Sequence, residues 1–196
     1  IAETGPKDRR MKRLAIMDSD GANHRYLTTG QTTALTPRYS PDYKSILYLS
    51  YFNGQPRIYI YDLERNTQRL LLQSQNPLFA PRWSPDGTQL WFTASDRVWN
   101  SLYAYDVASK SYSKRTKDVL VQGLSPNSDG SKLAMVLDTP DLPGEVYVQN
   151  GSAAPTRITT TNGWLSERAL GASRVITWKS KDGREVEGVL LLPVGY

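Results

Sequence analysis

The 196-residue chain contains no cysteine and one histidine, His24. The missing cysteines exclude disulfides, thiolate catalysis and Cys-ligated zinc. A lone histidine leaves a Ser–His–Asp triad or a His-based metal site almost nothing to build on. No apolar run reaches the roughly 18 to 20 residues of a bilayer-spanning helix, so membrane insertion is not expected. Convincing helical periodicity is missing from every window of about 10 residues. The chain opens at Ile1, without an initiator Met or a signal-type apolar segment, so a soluble protein lacking its true N-terminus is expected. Charge of one sign is only slightly in excess: 24 Lys and Arg against 19 Asp and Glu give +5. Much of that lies in one early cluster, Lys7, Arg9, Arg10, Lys12 and Arg13 against Glu3 and Asp8. The cluster reads as a solvated basic turn, and with no stacking-aromatic RNA signature beside it, nucleic acid is not an expected partner.

What is present is a repeat. Leu14 to Asp18 (LAIMD), Ile58 to Asp62 (IYIYD), Leu102 to Asp106 (LYAYD) and Val146 to Asn150 (VYVQN) follow one another at a 44-residue interval. Six residues beyond each terminal Asp or Asn the register still holds, at His24, Gln68, Tyr112 and Thr156. Between these hairpins lie Thr36 to Ser50, Ala80 to Ala94 and a looser copy, Gly123 to Leu137. In each, a Ser-Pro and Asp turn separates a short strand from one rich in β-formers, because Pro presets φ and Asp or Gly accepts the turn. The third copy, SPNSDG, carries two extra residues and is expected to turn differently. Four antiparallel strands in about 40 to 45 residues make one β-propeller blade. The expected fold is all-β, with about four four-stranded blades over residues 1–160, the first incomplete. An irregular linker (161–172) and a C-terminal β-hairpin (173–196), turning at Lys181 to Gly183, follow.

The chemistry-bearing residues have bland readings that suffice. Asp18, Asp62 and Asp106 are expected to cap turns by accepting backbone N–H groups. Asp18-Ser19-Asp20-Gly21 resembles a cation loop, but an EF-hand needs a Glu at its twelfth position, where Thr29 stands. A nucleophile elbow needs G-x-S-x-G, and Gly130-Ser131, Gly151-Ser152 and Gly171-Ala172-Ser173 each lack the second glycine. The carboxylate pairs Asp138/Asp141 and Glu185/Glu187 read as solvated surface rather than glycosidase acids. Trp83, Trp91, Trp99, Trp164 and Trp178 and the twelve tyrosines read chiefly as blade and loop packing, with a protein contact at exposed members. No catalytic, cofactor-binding or metal-ligating residue is assigned, and no cofactor is expected.

Two family resemblances rest on longer phrases. Residues 1 to about 90, through ETGPKDRRMKRLAIMDSDGANHRYLT, LTPRYSPDYKSILYLS, GQPRIYIYDLERNTQRLL and FAPRWSPDG, resemble the TolB-type propeller of the Tol-Pal envelope system. From about 91 onward, WFTASDRVWNSLYAYD, GSKLAMVLDTPDLPGEVYV, RITTTNGWLSERALG and RVITWKSKDGREVEGVLLLPVGY resemble the end of the propeller of a prolyl oligopeptidase family serine peptidase of acylaminoacyl or dipeptidyl type. The last phrase is similar to the segment entering that family's α/β-hydrolase domain, so the resemblance implies a catalytic domain beyond Tyr196. The two meet inside Ser84 to Leu90 with the register unbroken, which suggests a chimera joined at equivalent blade positions.

The first resemblance implies a non-catalytic periplasmic scaffold with protein partners such as the peptidoglycan-associated lipoprotein. The second implies the gating propeller of a peptidase, with a cytoplasmic location as the alternative. A purely structural chimera without a function of its own is the third reading. The apolar second strand of the hairpin, VLLLPV, and the open blade edges predict self-association.

Overall fold

A computed structural model describes residues 2–4, 12–29 and 33–196. Lys7, Arg9 and Arg10 of the basic cluster therefore lie outside the described residues. The chain is almost entirely β, and it divides into two compact units, residues 1–94 with 104–113 and residues 95–103 with 114–196.

The first unit holds a three-stranded sheet of β1 (Ala2–Thr4), β2 (Lys12–Ile16) and β3 (Arg25–Tyr26). Beside it lies a four-stranded antiparallel sheet of β4 (Thr33–Tyr39), β5 (Ser45–Phe52), β6 (Gln55–Asp62) and β7 (Thr67–Gln73). The same unit contains the pair β8 (Leu78–Trp83) and β9 (Gln89–Asp96), the last residues of β10 (Trp99–Asp106) and most of β11 (Ser111–Lys114). Its core is the product of period-2 patterning. Ile46 and Tyr48 of β5 and Tyr61 of β6 meet Leu14 of β2 and Ala34 of β4 in one buried cluster. Tyr48 stacks on Tyr59 with ring centroids 5.4 Å apart, and its hydroxyl donates to Gln68 Oε1.

The second unit is built on β12 (Leu120–Pro126), β13 (Lys132–Thr139), β14 (Leu142–Asn150) and the short β15 (Thr156–Arg157), paired antiparallel in that order. The start of β10 joins β12 in parallel at Asn100 and Leu120, and Asn100 Nδ2 donates to the Val121 carbonyl at 2.8 Å. A 3-10 helix at Gly163–Glu167 follows, and then β16 (Ser173–Lys179) and β17 (Glu185–Leu191) form a hairpin of their own.

The repeat is visible as a hydrogen-bond device. Thr28, Thr116 and Thr159 each place Oγ1 where it accepts the N–H of Leu14, Leu102 and Val146, all at 2.9 Å. Those three acceptor sites serve residues spaced successively by 88 and 44 positions, multiples of the repeat. The turns between paired strands of one sheet repeat as well. Ser40 and Ser84 each donate Oγ–H to an Asp two residues on at 2.6 Å and accept the N–H of Ser45 and Gln89 at 2.9 Å. The third copy does not turn differently, as its two extra residues suggested. Ser125 and Pro126 finish β12, and Asn127 takes the serine's place, its Oδ1 accepting the Lys132 N–H at 2.9 Å. A fourth version closes the hairpin, where Ser180 Oγ donates to Asp182.

Candidate protein-binding surface

Within the first unit, a groove of about 290 Å³ runs between the end of β2 and the end of β4 with the start of β5. Leu14 to Ser19 form one wall, and Pro37, Arg38, Tyr39 and Ile46 form the other. The backbone dictates which side chains stand at its mouth. In β4 the register shifts between Leu35 and Arg38, where Thr36 is held at φ 48°, and this bulge re-aims the residues that follow. Arg38 and Tyr39 face solvent, Tyr39 at 47% exposure. Tyr43, 74% exposed at the turn, lies 5.9 Å from the Tyr39 ring, and Met17 on the opposite wall is 41% exposed. Two rings, a thioether, one cation and the Asp18 carboxylate around an apolar floor suit a protein or peptide contact.

None of these four residues was singled out from the sequence. Their signal was the 44-residue register itself: Tyr39 stands where Trp83 stands one blade later, yet Trp83 is half-buried and Tyr39 is exposed.

The other candidates fall as follows. Asp62 accepts the N–H groups of Glu64 and Arg65 at 3.0 and 2.9 Å, and Asp106 that of Ser109 at 2.7 Å, which lowers both carboxyl pKa values. Asp18 departs from that pattern. Its carboxylate accepts Asn23 Nδ2 at 2.6 Å, while Asp20 takes the backbone-capping part at Ala22. Among the described residues no cluster of three His, Asp or Glu could hold a metal. His24 packs edge-on against Tyr26, 5.0 Å between centroids, on the outer strand. The Glu185 and Glu187 carboxylates lie at the surface, where Arg97 bridges both and Glu185 keeps 54% exposure. Asp138 and Asp141 are likewise engaged, by Gln122 Nε2 and Ser173 Oγ, each at 2.6 Å.

The largest surprise is Glu145 on β14, 2% exposed. Thr159 Oγ1 donates to it, as do the N–H groups of Thr161 at 3.1 Å and Asn162 at 2.9 Å. The Thr159 hydrogen bond leads, with those of Asn162 and Thr161 behind it, in holding its carboxyl down at about 2. A cavity of about 420 Å³ adjoins it, lined also by Arg157, Leu165 and Leu170. Because the carboxylate is spent on the backbone of residues 159–162, it fixes the chain leaving the last blade rather than serving as a free acid.

Comparison with known proteins places these features. The profile of the TolB beta propeller domain matches residues 1–168. Tol-Pal system protein TolB 1 of Novosphingobium aromaticivorans is 89% identical over 62 residues, 32% of this chain and 14% of that protein. The chain thus spans a small part of the curated relatives it matches. Among solved structures, TolB from Acinetobacter baumannii aligns with a TM-score of 0.69 and 22% identity over 97% of this chain and 49% of that one. Acylaminoacyl peptidase from Pyrococcus horikoshii aligns with a TM-score of 0.74 and 16% identity over 96% and 30%. At such identities both likenesses show the fold alone. The profile match, covering most of the chain, assigns the family: this chain belongs to the TolB beta propeller domain family.

Proposed function

We propose that the chain is a non-catalytic, TolB-like propeller segment that binds a protein of the Tol-Pal envelope system in the periplasm, with the peptidoglycan-associated lipoprotein as its expected partner. The observation that carries this reading is the groove of Met17, Arg38, Tyr39 and Tyr43, exposed on the unit that contains the TolB-like phrases. The His and carboxylate candidates support the absence of catalysis by where they stand: the acids are engaged in turns, ion pairs or side-chain hydrogen bonds, and His24 packs against Tyr26 of an outer strand. A pull-down from a detergent-solubilised bacterial envelope, with the captured proteins identified by mass, tests it. Recovery of the lipoprotein supports the reading, and recovery of no envelope protein overturns it.

The second reading is the gating propeller of a prolyl oligopeptidase family peptidase. It has the shared fold in its support, since acylaminoacyl peptidase aligns over 96% of the chain at 16% identity, but TolB aligns over 97%. The two readings are reconciled by a chimera joined near Ser84 to Leu90. Identity of 89% to one TolB relative over only 62 residues supports this, whereas the profile match through residue 168 means that the second half keeps the same blade grammar. Sequencing the genomic locus across codons 60 to 120 decides it. An uninterrupted gene of ordinary TolB or peptidase type over that span refutes the chimera.

A further inference from the structure

Among the described residues, β16 and β17 pair with each other and with no third strand. A two-stranded sheet is marginal in water, and this one carries apolar side chains on both faces, shared on one of them with Ser173, Thr177, Lys179, Glu185 and Glu187. Its register sets Val175, Val189 and Leu191 on one face and Ile176, Trp178, Val186 and Leu190 on the other. Val175, Ile176, Trp178, Val189 and Leu191 remain 36 to 66% exposed. Such a sheet gains most by acquiring strands, and the hydrogen-bond pattern says how.

The ladder is closed at one end by Ser180 N–H donating to the Arg184 carbonyl and at the other by Leu192 N–H donating to that of Ala172, both at 2.9 Å. Antiparallel alternation then commits the peptide groups of Arg174, Ile176 and Trp178 to β17. Those of Ser173, Val175, Thr177 and Lys179 point outward along a free edge. The outer edge of β17 is a poorer template. A two-fold pairing of β17 with itself about Gly188 sets Glu187 opposite Val189 and Glu185 opposite Leu191, stranding carboxylates that Arg97 already holds. Pairing of β16 with a second β16 about Ile176 aligns all seven of its residues. It sets Ser173 opposite Lys179, Arg174 opposite Trp178 and Val175 opposite Thr177. No like charges face each other, a guanidinium meets an indole, and the outward peptide groups of Val175 and Thr177 find partners.

We propose that the chain forms a two-fold dimer by antiparallel β16–β16 pairing, giving a continuous four-stranded sheet, β17-β16-β16-β17, with Ile176 on the axis. A symmetric contact of this kind is self-complementary and closed, so it stops at two copies. It rests on the hairpin alone and stands whether or not the chain binds an envelope protein.

The absence of cysteine makes the test clean, because an introduced thiol is the only one. In the proposed register Ile176 faces its own copy as a non-hydrogen-bonded pair, with Cα atoms about 4.5 Å apart, within disulfide reach. Under mild oxidation Ile176→Cys is expected to cross-link to a covalent dimer at least tenfold faster than Ile158→Cys, a more exposed position elsewhere. Sedimentation velocity over a concentration series is expected to show the unmodified chain as monomer and dimer, Ile176→Lys as monomer, and Val189→Lys as still dimeric. Equal cross-linking rates at 176 and 158 overturn the proposal. So does an unmodified chain that stays monomeric at every concentration, or that continues past two copies. Should Ile176→Lys fail to fold, the cross-linking comparison alone decides.

Discussion

Replacing Ser84 by alanine probes the turn that makes the repeat. Ser84 is 4% exposed, and its hydroxyl works in two directions, donating to Asp86 Oδ1 at 2.6 Å and accepting the Gln89 N–H at 2.9 Å. Alanine removes the acceptor from a backbone donor at a buried turn, a loss of about 1–3 kcal/mol. The Asp86 contact adds little, because that carboxylate is open to solvent. A net destabilisation of about 2 kcal/mol is expected, lowering Tm by about 4–8 °C in a chain of this size. Asn127 performs the same task in the third copy, so Ser84→Asn should lose less than half as much as Ser84→Ala. Urea denaturation followed by tryptophan emission, checked for an unchanged slope, measures both. The Ser84 hydroxyl is also the largest cause of the lowered Asp86 pKa, so the Asp86 carboxyl should titrate higher in Ser84→Ala. A Ser84→Ala protein within about 0.5 kcal/mol of the parent, the range of ordinary surface changes, refutes the reasoning. An asparagine variant as damaged as the alanine variant does the same.

Glu145 gives a pH dependence of definite sign. Its folded pKa, about 2, lies below the ordinary glutamate value of 4.5, so its stabilisation is complete above 4.5 and is lost as pH falls towards 2. Glu145→Gln should be less stable than the parent at neutral pH and should show a flatter urea midpoint across that acid window; parallel curves would contradict this. Gly171→Ala brings a Cβ against the Leu192 carbonyl oxygen, so the Leu192 amide, which donates to Ala172 at 2.9 Å, should lose hydrogen-exchange protection while β5 and β6 keep theirs. Ile58→Ala empties a fully buried site on β6 and should cost about 3 kcal/mol in urea denaturation, against under 1 kcal/mol for Ile158→Ala, which is 61% exposed.

The architecture was legible because its signals are local and repeated. Alternating apolar residues such as Ile58, Ile60 and Leu47, Leu49 announce strands, and the Ser-x-Asp turns at Ser40 and Ser84 announce where they reverse. The third turn looks different in sequence because Ser125-Pro126 resembles its siblings, whereas these two residues end β12 and Asn127 fills the serine's position. The groove was not legible, since the bulge at Thr36 recurs at Ala80 before the half-buried Trp83, so the exposure of Tyr39 is set by tertiary surroundings rather than by the local pattern. Glu145 was passed over for a related reason: its three donors are 14, 16 and 17 residues away. Nor could sequence spacing pair Arg97 with Glu187, 90 positions apart.

The account turns on the groove, and calorimetric titration of the chain with the soluble domain of a peptidoglycan-associated lipoprotein tests it most directly. Saturable one-to-one binding is expected, weakened at least tenfold, about 1.4 kcal/mol, in a Met17→Ala, Tyr39→Ala double variant whose urea midpoint matches the parent. No heat of binding, or an affinity that the double variant leaves unchanged, contradicts the assignment of this surface.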